Sequence, residues 1–564
     1  RSKKRERAMF ASGGIQKKRG FYQINTLACE DCRACVEMTG CPGLSQSFDA
    51  YGTKVMIDPQ ICVSDSYCTK IKACPSFELV EVANYHPTKY QQKNNEISDV
   101  DLPRPHINKT LEQIAAGDDF NVVVIGVGGS GVTTISRVLA EAAGNMQGRE
   151  DLNFKFVDQK GLAQRNGSVT SHLSIFSHGK SHSQTTVMGS ADLVLSPDLL
   201  EGARAINYLK KDGLLVIDSE YQIPLSVLLD DGVKENPLTK KQLQSELISK
   251  FNKNIFMANM KERSFETFQK SVYSSAMLLG MVFQAGRLPF ELESMHQAFQ
   301  KSVHKTEFEN NWQAFQMGRK IIIDKDYNHY PEDGHSFLNK EDFIQSVKEA
   351  AYPWQSKSKL INKFEKDLAK LKEGMFPLEH NHLTQYLHDL YVFDHGENVT
   401  RLHQDGVHLK SLFPDDELYR IAFRILVKTY WIKDEVFVAH QLSGHLKMKY
   451  DQKTYKNIGT SYEVKHINRP HFEICGKIIE FDIHTRDWML KIFKHLRILR
   501  KLMSEWHSKE RRISGLIRTE VLNKIPSLPL DSQLSRLKEI DNIKGYREVR
   551  YQKAQKYLKE FQYE

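Results

Sequence analysis

The chain has 564 residues, long enough for roughly three or four domains of ~150 residues each; 40% are apolar and 26% charged, with a net charge of +9. That charge is spread over a long chain and marks no nucleic-acid partner, no apolar run approaches the ~18–20 residues of a membrane span, and the basic start is no signal peptide. Seven of the eight cysteines lie between Cys29 and Cys74, which excludes a disulfide-stapled secreted scaffold and points to a metal protein of a reducing compartment, the cytoplasm.

Residues 1–20 read as a basic junction and residues 21–83 as a cysteine-rich module. Residues 84–119 are polar, hold three prolines and the run Gln-Gln-Lys-Asn-Asn, and read as a linker. From 120 to 325 short apolar runs alternate with helical stretches. Val122–Ile125, Phe154–Val157, Leu193–Leu195, Leu214–Ile217 and Ile255–Met257 are the strand candidates of an α/β domain with a largely parallel sheet. His172–Phe176 adds a strand of antiparallel character. Residues 326–564 read as a mainly helical domain. There Trp488, Ile492, Leu496, Leu499, Met503 and Trp506 predict one long amphipathic helix, and Val436–Val438 a short strand.

The cysteines form two runs. A two-cluster ferredoxin repeats C-x2-C-x2-C-x3-C-P, the last cysteine of each run binding the other cluster. The first run here is Cys29-x2-Cys32-x2-Cys35-x5-Cys41-Pro42, and the second is Cys62-x2-Asp65-x2-Cys68-x5-Cys74-Pro75. Equal spacing puts an aspartate where the second thiolate belongs. The expected ligand sets are Cys29, Cys32, Cys35 and Cys74 on one [4Fe–4S] cluster, and Cys41, Cys62, Cys68 and Asp65 on the other. Zinc is the rival, although zinc sites usually show separated CxxC pairs. For Asp65 the alternative is a turn residue beside a three-iron cluster.

Gly126-Val-Gly128-Gly129-Ser130-Gly131 follows a strand and opens a helix, a place where backbone N–H groups meet an anion. Asp158 ends the second strand, as the ribose-binding acid of a dinucleotide fold would, so a nicotinamide or flavin site stays open. A second loop follows, Gly161-Leu-Ala-Gln164-Arg165-Asn-Gly167-Ser168-Val-Thr-Ser-His172. Ser130 and Ser168 are equally readable as phosphate contacts and as turn residues. His380, His382, His388, His395, His403 and His408 crowd one segment without zinc-enzyme spacing and read as solvent-exposed. No Ser-His-Asp arrangement can be read, and Cys475 reads as a small buried hydrophobe.

Both glycine motifs together resemble the γ domain of 2-oxoacid:ferredoxin oxidoreductases, whose loops run G-x-G-G-x-G-V and K-G-L-A-Q-[RK]-x-G-x-V-x-S-H. The cysteine module, with its Cys74-Pro-Ser-Phe77 ending, resembles the large single-chain indolepyruvate ferredoxin oxidoreductases. So do Arg486–Met489, Glu510–Arg512 and Ile543–Val549. The resemblance implies a multidomain α/β protein: a two-[4Fe–4S] ferredoxin-like module, a Rossmann-like γ domain and a mainly helical C-terminal domain. It implies oxidative decarboxylation of a 2-oxoacid of the aryl pyruvate class with coenzyme A, giving acyl-CoA, CO2 and reduced ferredoxin. The implied cofactor-binding residues are Gly126, Gly128, Gly129, Ser130, Gly131, Gly161, Gln164, Arg165 and Gly167.

The family's thiamine diphosphate and Mg2+ sit on a Gly-Asp-Gly motif that this sequence lacks. The first residue is Arg1, not Met. The expectation is therefore that the thiamine domains belong to a longer parent chain or to a separate polypeptide. Ferredoxin and a second copy of the chain, as a homodimer, are the other implied partners, with no nucleic acid and no membrane. Two further readings stand beside this one: an NAD(P)- or flavin-dependent iron–sulfur oxidoreductase, and a non-catalytic electron-transfer or assembly subunit.

Overall fold

A computed structural model of the chain describes residues 18–561 except 42, 59–61, 71–73, 84–101, 147–151, 162–166, 181, 221–239, 269, 329–337, 353, 375–377, 379, 456–460, 469–470, 475–476, 481–482, 498–499 and 501–506. In chain order the strands are β1 (Lys18–Ile24), β2 (Leu44–Asp49), β3 (Gly52–Ile57), β4 (Phe77–Ala83), β5 (Phe120–Val127), β6 (Leu152–Lys160) and β7 (Ser168–Ser177), followed by β8 (Ala191–Ser196), β9 (Leu209–Asp218), β10 (Ile255–Ala258), β11 (Ser461–Asn468), β12 (His471–Ile474), β13 (Lys477–Glu480) and β14 (Ile483–Arg486). They divide between two compact units. One comprises residues 1–87, 225–235 and 332–564, the other 88–224 and 236–331. Among the described residues no helix is long and apolar enough to cross a membrane.

The first unit carries all seven clustered cysteines. Antiparallel β1 and β4 bracket the two runs, with Ile24 opposite Phe77, and β2 and β3 form a hairpin between them. A short helix, Ala34–Thr39, follows the first run's opening and a 3-10 turn, Tyr67–Lys70, falls inside the second. The sheet does not stop there. β11 adds to the free edge of β4 and β14 adds to β11, so residues expected in a separate C-terminal domain complete the sheet of the cysteine module. An open two-stranded ribbon is marginal in water, and this addition gives Phe21, Val80, Val82, Tyr455 and Val464 a common core.

The helices of residues 340–443 and 508–557 share one apolar core that also takes in Ala50 and Tyr51 from the β2–β3 turn. Two sequence expectations fail in this unit. Val436–Val438 lies in the helix Glu435–Ser443, started by Asp434, whose carboxylate accepts from the Phe437 N–H at 2.8 Å. Complete burial of that helix overrides the strand preference of valine. The long helix from Trp488 ends at Phe493, where backbone bonds tighten to an i−3 pattern at His495 and Leu496. Trp488 and Ile492 face solvent, and Leu499, Met503 and Trp506 lie outside the described residues.

The second unit holds a six-stranded sheet in the order β10-β9-β8-β5-β7-β6. β10, β9, β8 and β5 are parallel, whereas β7 runs antiparallel to both β5 and β6. The expectation of a largely parallel sheet with an antiparallel strand at His172–Phe176 therefore holds, β7 alone running against the other five strands. The connection over 161–167 is too short for a crossover, which takes a dozen or more residues, so β6 and β7 must form a hairpin. All eight residues of β5 are buried, as befits a central strand covered on both faces. Val122 and Val124 pack with the helices Val132–Gly144, Ser274–Gln284 and Phe308–Ile323, while Val123 and Ile125 pack toward Leu199 and Leu247 on the other face.

Part of the expected linker belongs to this unit. Residues 108–115 form a helix whose Ile114 is fully buried, and the buried Arg319 donates to the carbonyls of Leu102 and Pro103. Prolines and polar residues on either side obscured that short helix. Most of the basic junction, residues 1–17, lies outside the described residues, and residues 18–20 open β1.

Candidate functional site

Two cysteine groups lie in the first unit. Cys29, Cys32, Cys35 and Cys74 lie close enough for their thiols to act on one another. Burial, then Cys74 and Cys29, pushes the Cys32 thiol up to about 12. Burial followed by Cys29, Cys74 and Cys32 drives Cys35 higher still. Cys74 stands at about 11, raised by burial although the Ser76 N–H opposes it. In the other group burial, then Cys62, Cys41 and Asp65, raises Cys68 to about 12. Cys62 is brought to Cys41 by a backbone relay: the Asp58 N–H donates to Gly43 and the Cys62 N–H to Asp58.

All seven cysteines are free thiols. Backbone donors already point at the sulfurs. The Asp31 and Val55 N–H groups each lie 3.4 Å from Cys29 Sγ, and the Ser64 N–H lies 3.3 Å from Cys62 Sγ. Among the described residues no three His, Cys, Asp or Glu side chains converge as a single metal ion requires; zinc, for instance, draws thiolates to about 2.3 Å. The groups differ in setting. Cys29 and Cys35 are buried, while Val63, Asp65 and Tyr67 beside the second group are exposed. Asp65 Oδ1 accepts from the Tyr67 N–H at 3.1 Å, opening the 3-10 turn and leaving its second oxygen toward other partners.

A shell of cations surrounds the first group. Lys54 Nζ donates to the Cys29 carbonyl at 2.8 Å. Lys433 Nζ reaches the carbonyls of Leu27 and Ala28 at 2.9 and 3.0 Å and pairs with Glu30 at 2.6 Å. Burial pushes the Glu30 carboxyl up, but Lys433, Lys54 and Lys428 outweigh it and hold it near about 2. Tyr546 donates its hydroxyl to Ala28, and Lys553 donates to the Cys32 carbonyl at 2.9 Å. Gly545 has φ +121°, and a Cβ there would stand 3.1 Å from Cys32 Cβ. A cavity of about 40 Å3, lined in part by Glu30, Lys428, Asp541, Lys544 and Tyr546, lies behind this loop. It has room for about two waters. No spacing rule in the sequence announces these lysines; only the Ile543–Val549 motif hinted at the segment.

In the second unit the glycine loop closes on itself. Ser130 Oγ donates to the Val127 carbonyl at 2.7 Å, which makes it a turn residue, and the Gly128 N–H donates to Gly167 at 2.8 Å. Gly167 and Gly161 thus bring the ends of the β6–β7 loop to the glycine loop, while Gln164 and Arg165 lie outside the described residues. Gly126 is hemmed in by Val132 and Pro197. Gly131 has φ +91°, and a Cβ there would collide with Ser275 Oγ. Asp158 sits on β6, separated from β5 by β7, and accepts from Ser171 Oγ at 2.6 Å. A ribose-binding acid ends the strand adjacent to the glycine strand. Asp158 does not occupy that position.

His172 is buried in β7. Its Nδ1 accepts from the Thr186 N–H at 3.3 Å, and its Nε2 has no hydrogen-bond partner. The solvated-histidine expectation fails for His388. Its Nδ1 meets Asp389 at 2.8 Å and its Nε2 meets Ser346 Oγ at 2.9 Å, with His440 Nε2 3.1 Å beyond. That is triad connectivity, with Ser346, His388 and Asp389 all buried, and the hydrogen-bonded chain ties three helices together. His380 and Cys475 lie outside the described side chains.

A family model described as pyruvate ferredoxin/flavodoxin oxidoreductase matches residues 121–321. The chain is 29% identical over 204 residues to indolepyruvate oxidoreductase subunit IorB of Archaeoglobus fulgidus, covering 36% of this chain and 96% of that protein. It is 28% identical over 206 residues to the subunit of the same name from Thermococcus kodakarensis, covering 36% and 95%. Among solved structures, the γ subunit of a keto/oxoacid ferredoxin oxidoreductase from Geobacter sulfurreducens matches 36% of this chain and 97% of its own, with 20% identity and a TM-score of 0.25. The 2-oxoglutarate:ferredoxin oxidoreductase of Magnetococcus marinus matches 45% and 42%, with 13% identity and a TM-score of 0.27. Residues 121–321 thus resemble the pyruvate ferredoxin/flavodoxin oxidoreductase family, and indolepyruvate oxidoreductase subunits are among the proteins to which this part of the chain is similar.

Proposed function

We propose that this chain is the electron-transfer and γ-domain portion of a thiamine-dependent 2-oxoacid:ferredoxin oxidoreductase acting on indolepyruvate or a related aryl pyruvate. The observation that carries the reading is the sorting of the cysteines: Cys29, Cys32, Cys35 and Cys74 in one group, Cys41, Cys62 and Cys68 with Asp65 in the other. Each group is an all-soft or nearly all-soft donor set of the kind iron–sulfur clusters take. Grouped thiols that do not converge on one point suit a bulky multi-iron core better than a single zinc ion. Bound there, [4Fe–4S] clusters would supply one-electron storage and passage. Asp65 would bind iron through the oxygen that its turn leaves over.

The overall reaction balances as 2-oxoacid plus coenzyme A giving acyl-CoA, CO2, a proton and two electrons, which leave one at a time for ferredoxin. Thiamine diphosphate and Mg2+ would be held by partner domains, in the same polypeptide or another, since this sequence has no Gly-Asp-Gly. The residues of this chain bury Cys29 and Cys35 of the first group, and exposed residues such as Val63 and Tyr67 flank the second. In the γ domain the two glycine loops, with Gly126, Gly128, Gly129, Ser130, Gly131, Gly161, Gln164, Arg165 and Gly167, would contact coenzyme A or the thiamine-binding partner. A homodimer and cytoplasmic residence are part of the same reading. The dinucleotide alternative is disfavoured by Asp158, which is committed to Ser171 and one strand too far from the glycine loop.

Anaerobically prepared chain should contain about eight iron and eight sulfide, as two four-iron clusters require. Stoichiometric zinc without sulfide would refute the reading. Mixing the loaded chain with a thiamine-binding oxidoreductase partner should restore viologen reduction by indolepyruvate and coenzyme A, which the chain alone does not perform. Micromolar binding of NADH or FAD, lost on Asp158→Ala, would favour the dinucleotide enzyme instead.

A further inference from the structure

The C-terminal segment reaches the first cysteine group at the backbone of its ligands. Lys433, Lys544, Gly545, Tyr546 and Lys553 come from more than 350 residues away in sequence, and each meets the loop from Leu27 to Cys32. Most of the positive charge in this shell is matched. Lys433 pairs with Glu30 at 2.6 Å, Lys544 with Asp541 and Asp31 at 3.3 and 3.6 Å, and Lys54 with Asp49 at 3.7 Å. Lys553 is different. It projects from the helix Arg547–Tyr557 onto the Cys32 carbonyl at 2.9 Å, and no carboxylate of the described residues is ion-paired with it. It acts on Glu37 and Asp31 only at a distance, and its strongest attraction is to Cys32 itself.

Resting on the iron–sulfur reading, we propose that the C-terminal segment closes the first cysteine site and that Lys553 is the positioning residue that sets the reduction potential of the cluster held there. The physical reason is simple. A cluster with four thiolates gains one negative charge on reduction, and an uncompensated cation in a partly desolvated site a few ångströms away favours the more negative state. The second group, flanked by the exposed Val63 and Tyr67, sits in higher dielectric. The shell thereby makes the two sites unequal, and an electron arriving on this chain meets one preferred resting place.

The test uses the full chain, loaded anaerobically with iron and sulfide and titrated potentiometrically with electron paramagnetic resonance detection. The first cluster is identified by the signal lost in Cys35→Ser. Lys553→Gln keeps a donor for the Cys32 carbonyl and removes the charge, whereas Lys553→Arg keeps both. At fixed potential Lys553→Gln should lower the reduced-to-oxidised ratio of the first cluster roughly tenfold, about 59 mV for one electron. Lys553→Arg should stay within a few-fold of the parent, and the second cluster should not move. Loss of the first cluster in Lys553→Gln with retention in Lys553→Arg would also support the assignment. An unchanged ratio at full iron content, an equal shift of both clusters, equal shifts in the two variants, or cluster loss in both would overturn it. A parent chain that takes up no sulfide would instead defeat the iron–sulfur reading on which the proposal rests.

Discussion

Asp65 stands where the first run has Cys32, and its Oδ1 accepts from the Tyr67 N–H to begin the turn. In the proposed reading its other oxygen would meet iron. An oxygen donor holds iron of a sulfur cluster less firmly than thiolate does, so the second cluster should lose one iron on mild oxidation. Asp65→Cys should reduce the resulting three-iron resonance signal several-fold, and an undiminished signal would remove Asp65 from the ligand set. Gly131 is a residue of the opposite kind, defined by what cannot be added to it. Its φ of +91° is costly for a side chain, and Ser275 fills the space a Cβ needs. Gly131→Ala should destabilise the second unit by about 1–3 kcal/mol, read as a lower urea midpoint.

The sheet β1-β4-β11-β14 is held by a buried polar seam as well as by its apolar face. Glu78 on β4 lies 3.2 Å from His466 Nδ1 on β11 and 3.0 Å from Lys447, and His466 Nε2 meets Asp487 at 2.8 Å. Asn25 joins the seam to the cysteine loop, donating to Glu78 while its carbonyl oxygen accepts from the Leu27 and Ala28 N–H groups. Burial lowers His466, but Asp487 and Glu78 overcome it and raise the group to about 9. A raised imidazole stabilises fully below its unfolded value near 6.5 and loses that contribution as pH climbs toward about 9. On the acid side burial raises Glu78, Lys447 and His466 bring it down to about 2, and Asp451 is raised by burial to about 6. Those two shifts oppose each other, so the acid limb should be shallow. Between pH 6.5 and 8 the parent should lose about 2 kcal/mol of stability that His466→Gln does not lose, measured by denaturant titration at each pH. Parallel curves for the two proteins would contradict the assignment.

As a whole, the chain is one unit interrupted by another. Residues 88–224 and 236–331 fold compactly between the two stretches of the cysteine-bearing unit. Units with separate cores need not melt together. Two calorimetric transitions are expected, with Gly131→Ala lowering one and iron chelation lowering the other. A single transition moved by both would mean that the units unfold as one cooperative body. The interruption also explains why residues before 84 and after 332 can share a sheet and a core although a complete domain separates them in sequence.

Local pattern was enough wherever the chemistry is local. The two cysteine runs were legible from their spacing, because each run is short and its members are near neighbours in sequence. The glycine loop, the strand before it and the helix after it were legible for the same reason, since a strand-turn-helix needs only neighbouring residues. The tertiary structure decided what depends on distant partners. Val436–Val438 became helix because its surroundings are buried on every side. The β6–β7 hairpin moved Asp158 away from the glycine strand, a displacement visible only once the sheet order is known. The lysines around Cys29 and Cys32 were unreadable as a site, for a buried lysine and a solvated one look alike in sequence; what distinguishes them is the loop of carbonyls that folding brings beneath the ammonium group.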